Sequence, residues 1–286
     1  MVIVAWNNYD DTHECLESIL AQQKVETEIF LVDNGSKIEP LENLKTEFPT
    51  INYIQSETNL GFSAGTNLGL RKALNTNAEY FLIINNDTKA DEHMLQALLC
   101  AIKNDSIGLS APLIYYYDSP NEVWSSGGRI NKLLLMPLDS HNRRKTITQP
   151  IERSFVSGCC CLLKKDMLLQ VGMFDDRFFL YFEDLDFSKR VSDSGWKMVV
   201  TPSAKLYHKV SKSSGGRQTP AERYHYARSS GFYYRKQLSP FNAIPIIIFR
   251  FGSAVLTSIR LLLQGRTLAI RSYWEGLRIG WFSKIN

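Results

Sequence analysis

The chain has 286 residues, 44% of them hydrophobic and 22% charged, with a net charge of +4 at pH 7. This length and composition suit one globular domain, or one domain with an appendage, and exclude a disordered or fibrous chain. The five cysteines include three in a row, Cys159–Cys161, a spacing that forms neither a disulfide framework nor a zinc site. We expect buried cysteines in a reducing compartment.

Charge is unevenly spread along the chain. Residues 201–286 contain 14 Lys and Arg but 2 Asp and Glu, whereas the preceding residues contain 19 and 27. A basic tail with apolar helices suits an anionic membrane surface. The sequence shows no nucleic-acid recognition motif, so no nucleic-acid partner is expected. Because Met1–Val4 reads as a strand, we expect a cytoplasmic protein without a secretory signal, and the abrupt start indicates missing upstream residues or a misassigned start.

The first hundred residues alternate between strand and helix patterns, in which apolar runs predict strands and apolar residues at helical spacing predict helices. The predicted strands are Val2–Ala5, Glu28–Val32, Ile51–Gln55 and Tyr80–Ile84. The predicted helices are Asp11–Gln22, Pro40–Phe48, Gly65–Asn75 and Asp91–Asn104. This alternation predicts an α/β fold with a mostly parallel central sheet, right-handed crossovers and flanking helices.

The middle of the chain is less regular. Residues 108–160 read as irregular strands and loops, and a buried strand is predicted at Phe155–Leu163. Two helices, Lys165–Val171 and Asp184–Gly195, then precede a last strand at Met198–Thr201. The sheet domain is therefore expected to continue almost to residue 210.

The composition changes in the tail, residues 211–286. The tail begins with a stretch rich in Ser, Gly and Lys and continues with helical patterns, so it is predicted as a region separate from residues 1–210. Its apolar stretch Ala243–Leu263 is interrupted by Arg250 and Arg260. Because a membrane span needs about 20 largely apolar residues, we expect an amphipathic helix that lies in the membrane plane. Packing on the protein's own body, or on a twin subunit in a homodimer, is the equally weighted alternative.

Three aspartates mark the expected site. Asp33 directly follows a predicted strand, Asp87 ends the segment Asn85–Asp87 that follows another, and Asp184 lies in the acidic segment Glu183–Asp186. The carboxyl ends of parallel strands meet at one sheet edge, where ligands bind. Carboxylates gathered there repel one another without a cation, so a divalent ion on a nucleotide diphosphate is the expected partner. A turn capped by Asx side chains is the alternative for Asn85–Asp87.

The segment Phe178–Asp186 places aromatic side chains beside three acids. Burial raises the pKa of a carboxyl group and suits a general base. We assign Asp184 as the base, Glu183 as its neighbour and Asp186 as a structural acid, with helix capping as the alternative. For His208, just after the last predicted strand, a metal or phosphate role competes with a structural one.

A glycine-bearing segment, Asn59–Gly69, runs into a predicted helix. Such a segment can present backbone N–H groups to an anion. Its spacing and its place in the chain exclude a dinucleotide-binding glycine motif.

Taken in order, these segments resemble the inverting nucleotide-sugar glycosyltransferases of family two, which have the GT-A fold. The resemblance covers about residues 1–210, and the most similar subgroup contains rhamnosyltransferase-like enzymes that build bacterial polysaccharides. The ordered set is specific, although no single motif is. The matching segments are Val4–Asn7, Val32–Ser36, Asn59–Asn67, Asn85–Asp87, Val156–Cys160, Phe174–Asp175, Phe179–Asp186 with Arg190, and His208.

The resemblance implies roles for individual residues. Asp33 would bind the nucleotide base, and Asp87 would bind the metal, Mg²⁺ or Mn²⁺, with His208 as a further ligand. Asp184 would deprotonate the acceptor hydroxyl, with Glu183 beside it. The implied nucleotide-binding residues are Ala5, Trp6, Asn7, Asp33, Asn59, Gly61, Asn67, Asn85 and Asn86. Two positions depart from the family pattern, since Asn85 stands where an Asp-x-Asp motif begins and Ala5 replaces a commoner polar residue.

The expected activity is transfer of a sugar, with inversion, from a UDP-hexose or dTDP-rhamnose donor. The acceptor would be a hydroxyl of a glycan or lipid-linked glycan, with residues 115–150 on the acceptor side. The enzyme would act at the inner face of the cell membrane in bacterial surface polysaccharide synthesis. Because Asn85 replaces the first aspartate of the Asp-x-Asp motif, a non-catalytic partner subunit that binds sugar nucleotides is an alternative. A nucleotidyltransferase is the weaker alternative, because the first strand is followed by no glycine-rich basic loop.

Overall fold

The computed structural model describes residues 1–22, 25–38, 41–138, 147–210 and 218–284. The strands in these ranges are β1 (Val2–Ala5), β2 (Phe30–Asp33), β3 (Asn52–Gln55), β4 (Tyr80–Asn85), β5 (Thr88–Ala90), β6 (Ile107–Tyr116), β7 (Val123–Ser125), β8 (Arg129–Ile130), β9 (Pro137–Leu138), β10 (Ile151–Arg153), β11 (Cys160–Lys164) and β12 (Lys197–His208). The helices in the same ranges are α1 (Tyr9–Leu20), α2 (Glu42–Glu47), α3 (Gly61–Ala73), α4 (Met94–Ile102), α5 (Lys165–Val171), α6 (Glu183–Asp193), α7 (Pro220–Gln237), α8 (Ala243–Leu263) and α9 (Thr267–Phe282).

The central sheet follows the order β10-β12-β6-β11-β4-β1-β2-β3, with β5 paired to β12 and β7 paired to β6. Strands β3, β2, β1 and β4 are parallel to one another, and β6 is parallel to β12. Strands β10 and β11 are antiparallel to their neighbours. Alternate side chains of β1 and β4 enter two apolar clusters, one on each face of the sheet. The predicted mixed, mostly parallel sheet flanked by helices is confirmed.

The middle of the chain is more regular than its sequence suggested. Strand β6 has ten residues and lies between β11 and β12, so the expectation of irregular structure from residue 108 was wrong for this segment. Its long buried run lacks the alternation that identifies a half-exposed strand. Strand β12 also continues past Pro202 to His208, because its register shifts between Thr201 and Lys205 and so accommodates the proline.

Several expectations concern particular residues. Four cysteines are buried as expected, whereas Cys100 is exposed, and all five are free thiols. The predicted helix start at Pro40, part of the 115–150 segment and the start of the 211–286 region lie outside the described residues.

The C-terminal helices pack through small residues. Gly276 and Gly280 of α9 lie against the backbone of α7 at Tyr224 and Arg228, so closely that a Cβ on either glycine would collide with it. Helix α8 keeps only four residues buried, and it is the one helix among the described residues that is long and apolar enough to cross a membrane. The in-plane orientation expected for this helix stays a prediction.

Candidate active site

Three of the predicted residues lie side by side at the carboxyl edge of the sheet. Ala5 of β1 pairs in register with Asp33 of β2, and Val4 pairs with Asn85 of β4. The backbone N–H of Asn34 donates to the carbonyl oxygen of Ala5 at 2.8 Å. The parallel β1, β2 and β4 thus bring the ends of three distant segments to one place, as the sequence predicted.

Asp33 is buried and held at both carboxylate oxygens. The backbone N–H of Ser36 donates to Oδ1 at 2.9 Å, and the hydroxyl of Tyr53 donates to Oδ2 at 2.7 Å. Burial and the bond to Asp33 together raise the pKa of Tyr53. The N–H of Asn7 donates to the Ser36 hydroxyl at 2.7 Å, which joins the end of β1 to the turn after β2. Sequence reasoning missed Tyr53, since a tyrosine in an ordinary strand carries no local signal.

The indole of Trp6 remains accessible beside this turn, with 42% of its surface exposed. The next residue, Asn7, accepts from the backbone N–H groups of Lys37 and Ile38, both at 3.0 Å. Asn7 and Asn8 have positive φ values of 51° and 70°, a conformation that asparagine tolerates better than most residues. The chain therefore turns sharply after β1 and leaves Trp6 at the surface.

Three backbone N–H groups of the glycine-bearing segment are bonded within the protein, and anion binding by the segment stays a prediction. Helix α3 starts at Gly61, four residues earlier than predicted. The N–H of Gly61 donates to Asn59 Oδ1 at 2.8 Å, the N–H of Leu60 to Asn34 Oδ1 at 3.0 Å, and the N–H of Phe62 to the Phe179 carbonyl at 2.7 Å. These bonds fasten the start of α3 to the turn after β2 and to the segment before α6.

The side-chain amides of Asn67 and Asn86 make hydrogen bonds within the protein core. Asn67 donates to the Phe174 carbonyl at 2.8 Å and to Asp176, and it accepts from the Phe174 N–H at 3.1 Å. Asn86 donates to the Thr12 hydroxyl at 2.9 Å. Both side chains are buried by these contacts, so their nucleotide-binding roles stay predictions.

Asp87 and His208 form a buried pair. His208 Nε2 lies 3.2 Å from Asp87 Oδ1, although the two residues are far apart in sequence. The ring of Trp124 packs edge-on against the imidazole, with the ring centroids 4.5 Å apart. Burial lowers the pKa of His208, but Cys159 and Asp87 outweigh it and raise that pKa to about 10. Burial raises the pKa of the Cys159 thiol to about 11.

The chemistry of this pair fits a divalent cation, with part of the coordination left to other ligands. Carboxylate oxygen and neutral imidazole nitrogen are both accepted metal donors, so a cation that binds here would displace the proton from His208. The described residues contain no group of three or more His, Cys, Asp or Glu placed to hold a metal. His208 Nδ1 and Asn85 Oδ1 are buried and find no hydrogen-bond partner within the described part of the chain. A cation here would therefore need oxygens from a substrate or from water.

Asp184 joins the same edge through the turn before β11. The N–H of Gly158 donates to Asp184 Oδ2 at 3.2 Å, and the N–H of Leu185 donates to Oδ1 at 2.8 Å. Cys159, the residue after Gly158, contacts His208. The Cys159 carbonyl accepts from the Asn85 N–H at 2.8 Å. The carboxylate of Asp184 thus lies one short turn from the Asp87–His208 pair, as the sequence predicted.

The backbone before α6 is strained. Tyr181 and Phe182 have φ values of 69° and 66°, which bulky residues adopt rarely and mainly where function requires it. This double turn places Glu183 and Asp184 in the first turn of α6. Burial, and then the charge of Asp184, raise the pKa of Glu183 well above its ordinary value. Glu183 therefore holds its proton more tightly than an ordinary glutamate, beside a more accessible Asp184.

Comparison with known proteins decides the family. Residues 1–172 match the family model described as glycosyl transferase family 2. The chain belongs to glycosyl transferase family 2. The matched residues include Asp33 and Asp87, whereas Asp184 and His208 follow the match and are placed at the site by the fold.

Two relatives of this family-2 glycosyltransferase are named as rhamnosyltransferases. An N-acetylglucosaminyl-diphospho-decaprenol L-rhamnosyltransferase of Mycobacterium tuberculosis is 27% identical over 227 residues, which cover 70% of this chain and 73% of the relative. The dTDP-rhamnosyl transferase RfbF of Shigella flexneri is 21% identical over 227 residues, which cover 77% and 73%. The chain is thus rhamnosyltransferase-like in sequence.

A solved structure shares the fold. GalNAc-T7, crystallised with UDP, GalNAc and Mn²⁺, superposes with a TM-score of 0.62 at 18% identity, over 85% of this chain. The chain spans about half of that protein, 51% of its length. The likeness confirms the GT-A fold, and together with the family match it makes this chain a glycosyltransferase.

Proposed function

We propose that this enzyme transfers a sugar, with inversion, from a nucleoside diphosphate donor to a hydroxyl of a glycan acceptor. One observation carries the proposal: the turn Gly158–Cys159 joins Asp184 to the Asp87–His208 pair. That arrangement separates the Asp184 carboxylate from Asp87 and His208, the two residues suited to a cation. Such a separation of roles is what a single displacement needs, with a base on the incoming oxygen and positive charge on the leaving group.

Asp184 acts as the general base. Its carboxylate takes the proton of the acceptor hydroxyl as the oxygen forms a bond to the anomeric carbon, while the bond from that carbon to the diphosphate oxygen breaks. The raised pKa of Glu183 favours Asp184 as the charged group of the adjacent pair. A positioned base of this kind is worth about 10²–10⁴-fold in rate.

Asp87 and His208 would hold a divalent cation, Mg²⁺ or Mn²⁺. When bound, such a cation stabilises negative charge on a departing diphosphate. Asp33, fixed by Tyr53 and Ser36, would accept hydrogen bonds from the nucleotide base, with Trp6 exposed beside it. The Mn²⁺ bound in GalNAc-T7 supports the assignment of the ion class.

The names of the relatives indicate the substrate class. Rhamnosyl transfer in the relatives of Mycobacterium tuberculosis and Shigella flexneri favours dTDP-rhamnose over UDP-hexose as the donor. The first relative's name specifies a polyprenyl diphosphate acceptor. We therefore propose a lipid-linked glycan acceptor, bacterial surface polysaccharide synthesis, and a location at the inner face of the cell membrane.

Replacement of Asp184 tests the mechanism. Asp184→Asn keeps the shape of the side chain and removes its basicity, so we expect a folded protein that binds donor normally and loses at least about 10²-fold in turnover. Asp193→Asn, at the exposed end of the same helix, is the matched control. Normal turnover by Asp184→Asn would reject the base assignment. UDP or dTDP binding without turnover on any acceptor would favour the non-catalytic alternative, and release of pyrophosphate would indicate a nucleotidyltransferase.

A further inference from the structure

Helix α8 leaves a large apolar surface exposed. Nine of its apolar side chains are more than a third exposed, including Phe251 at 65% and Leu263 at 83%. They recur at helical spacing, for example Ile244, Ile248, Phe251 and Val255, and therefore share one face. We call these exposed apolar side chains of α8 the docking face. Soluble monomers rarely expose apolar patches of this extent, so the docking face requires a partner.

The opposite side of α8 is fixed to the protein. Ile246, Arg250, Ala254 and Leu261 are buried there. A guanidinium nitrogen of Arg250 donates to the Ser230 hydroxyl of α7 at 2.9 Å, and the guanidinium carbon lies 4.9 Å from the centre of the Tyr234 ring. Insertion across a bilayer would separate Arg250 from these partners or pull the basic helices α7 and α9 into hydrocarbon. The helix is therefore suited to lie in the membrane plane.

Basic and aromatic side chains border the docking face. Arg260 is exposed on α8, and Arg271 and Arg278 lie on the exposed side of α9. Trp274, also on that side, donates its indole N–H to the Ser258 hydroxyl at 2.9 Å, and Ser258 lies on α8 between successive turns of the docking face. Tryptophan and arginine beside an apolar surface are typical of helices at a membrane interface.

The net charge of the C-terminal helices favours a lipid surface over a second copy of the chain as the partner of the docking face. Residues 218–284 contain ten Lys and Arg but two Asp and Glu. A second copy of the chain would bring two such basic surfaces together, whereas anionic lipid headgroups complement them.

We propose that the docking face of α8 lies in the plane of an anionic bilayer, with Arg260, Arg271 and Arg278 among the lipid phosphates. Ile246 of α8 belongs to the same apolar cluster as Leu185 of α6, the residue after Asp184. Docking therefore holds the catalytic helix close to the membrane surface. A role for this placement in presenting a lipid-linked hydroxyl rests on the proposed function.

Vesicle binding of the full chain tests the proposal. We expect cosedimentation with vesicles of phosphatidylglycerol and phosphatidylcholine, much weaker binding to phosphatidylcholine alone, and release by high salt. The double variant Ile248→Asn, Phe251→Asn is expected to lose about tenfold or more in partitioning. Leu169→Asn, at an equally exposed leucine on α5, is the matched control. Arg260→Gln is expected to lose about fivefold on anionic vesicles alone.

Three results would overturn the proposal. Unchanged vesicle binding by the double variant would place the contact elsewhere. A concentration-dependent dimer that the double variant abolishes, without vesicle binding, would assign the docking face to a second copy. Retention in the membrane pellet at alkaline pH and high salt would indicate a helix that spans the bilayer. The double variant should keep wild-type turnover with a water-soluble acceptor, so a failure of docking is distinct from a failure of the proposed chemistry.

Discussion

Lys236, near the end of α7, binds Asp186 in the first turn of α6, with Nζ 2.7 Å from Oδ1. Asp186 is fully buried, and its other oxygen accepts from Arg190 Nε at 2.9 Å. The same ammonium group lies 2.9 Å from Asp175 Oδ2. Lys236 therefore ties the C-terminal helices to the helix that carries Asp184, and we expect it to be a positioning residue.

Replacement of Lys236 by Met should separate positioning from binding. It leaves a buried carboxylate with one cation instead of two, which we expect to lower the free energy of unfolding by about 1–3 kcal/mol. Because Asp184 lies on the disturbed helix and Asp33 does not, kcat should fall while KM for the donor changes little. Steady-state kinetics and urea unfolding provide the two measurements.

The controls for this prediction come from the same chain. Lys72→Met removes an exposed lysine on α3 and should change neither quantity. Lys236→Arg restores the positive charge and should recover part of kcat. A protein that loses stability but keeps its kcat would show that Lys236 has only a structural role.

Glu183 gives the enzyme a stability that depends on pH. Because its pKa is raised in the folded protein, the folded state holds this proton more tightly than the unfolded chain does. The stabilisation is complete below the ordinary glutamate pKa, about 4.3, and is lost as the pH rises from there through the folded pKa. Glu183→Gln should remove this loss, so its stability relative to wild type should increase with pH. Thermal unfolding from pH 5 to 9 measures the difference, and Glu57→Gln, at an exposed position, should run parallel to wild type.

Gly61 and Gly195 form a matched pair for testing the contact between α3 and the segment before α6. Their φ values are similar, 80° and 84°, so alanine strains both by about 1–2 kcal/mol. A Cβ at Gly61 would also collide with the Phe179 carbonyl oxygen, whereas one at Gly195 meets nothing within 4 Å. We expect Gly61→Ala to be the more destabilising by about 1–3 kcal/mol and also to reduce kcat. Equal stability losses would contradict the close approach.

The assignment of Asp87 to a cation is testable without measuring turnover. In the presence of nucleoside diphosphate, we expect calorimetry to show Mn²⁺ binding that Asp87→Asn weakens by about tenfold or more, because a carboxylate ligand is lost. Asp118→Asn, an exposed site, is the control. Equal Mn²⁺ affinity in the two variants would remove Asp87 from the metal site, and full transfer activity in chelator would reject a metal requirement.

Local sequence determined much of the sheet edge. Asp33 ends an apolar strand and Asp87 lies two residues past the end of another, and this alone predicts their place, because parallel strands end at a common edge. The α/β alternation predicted the order of the first four strands for the same reason. The sequence-based predictions failed where the local pattern of residues carries no information about structure. Strand β6 is a fully buried run without alternation, and the start of α3 depends on a carbonyl more than a hundred residues away, at Phe179.

The sequence by itself determined the chemical groups available and the strands that deliver them, because side-chain type and hydrophobic period are local properties. Only the tertiary structure decided which groups act together. It paired Asp87 with His208, placed Gly158 against Asp184, and brought Lys236 to Asp186. Each of these contacts joins segments whose separation along the chain is bridged by packing, and packing depends on the whole core rather than on any one stretch of sequence.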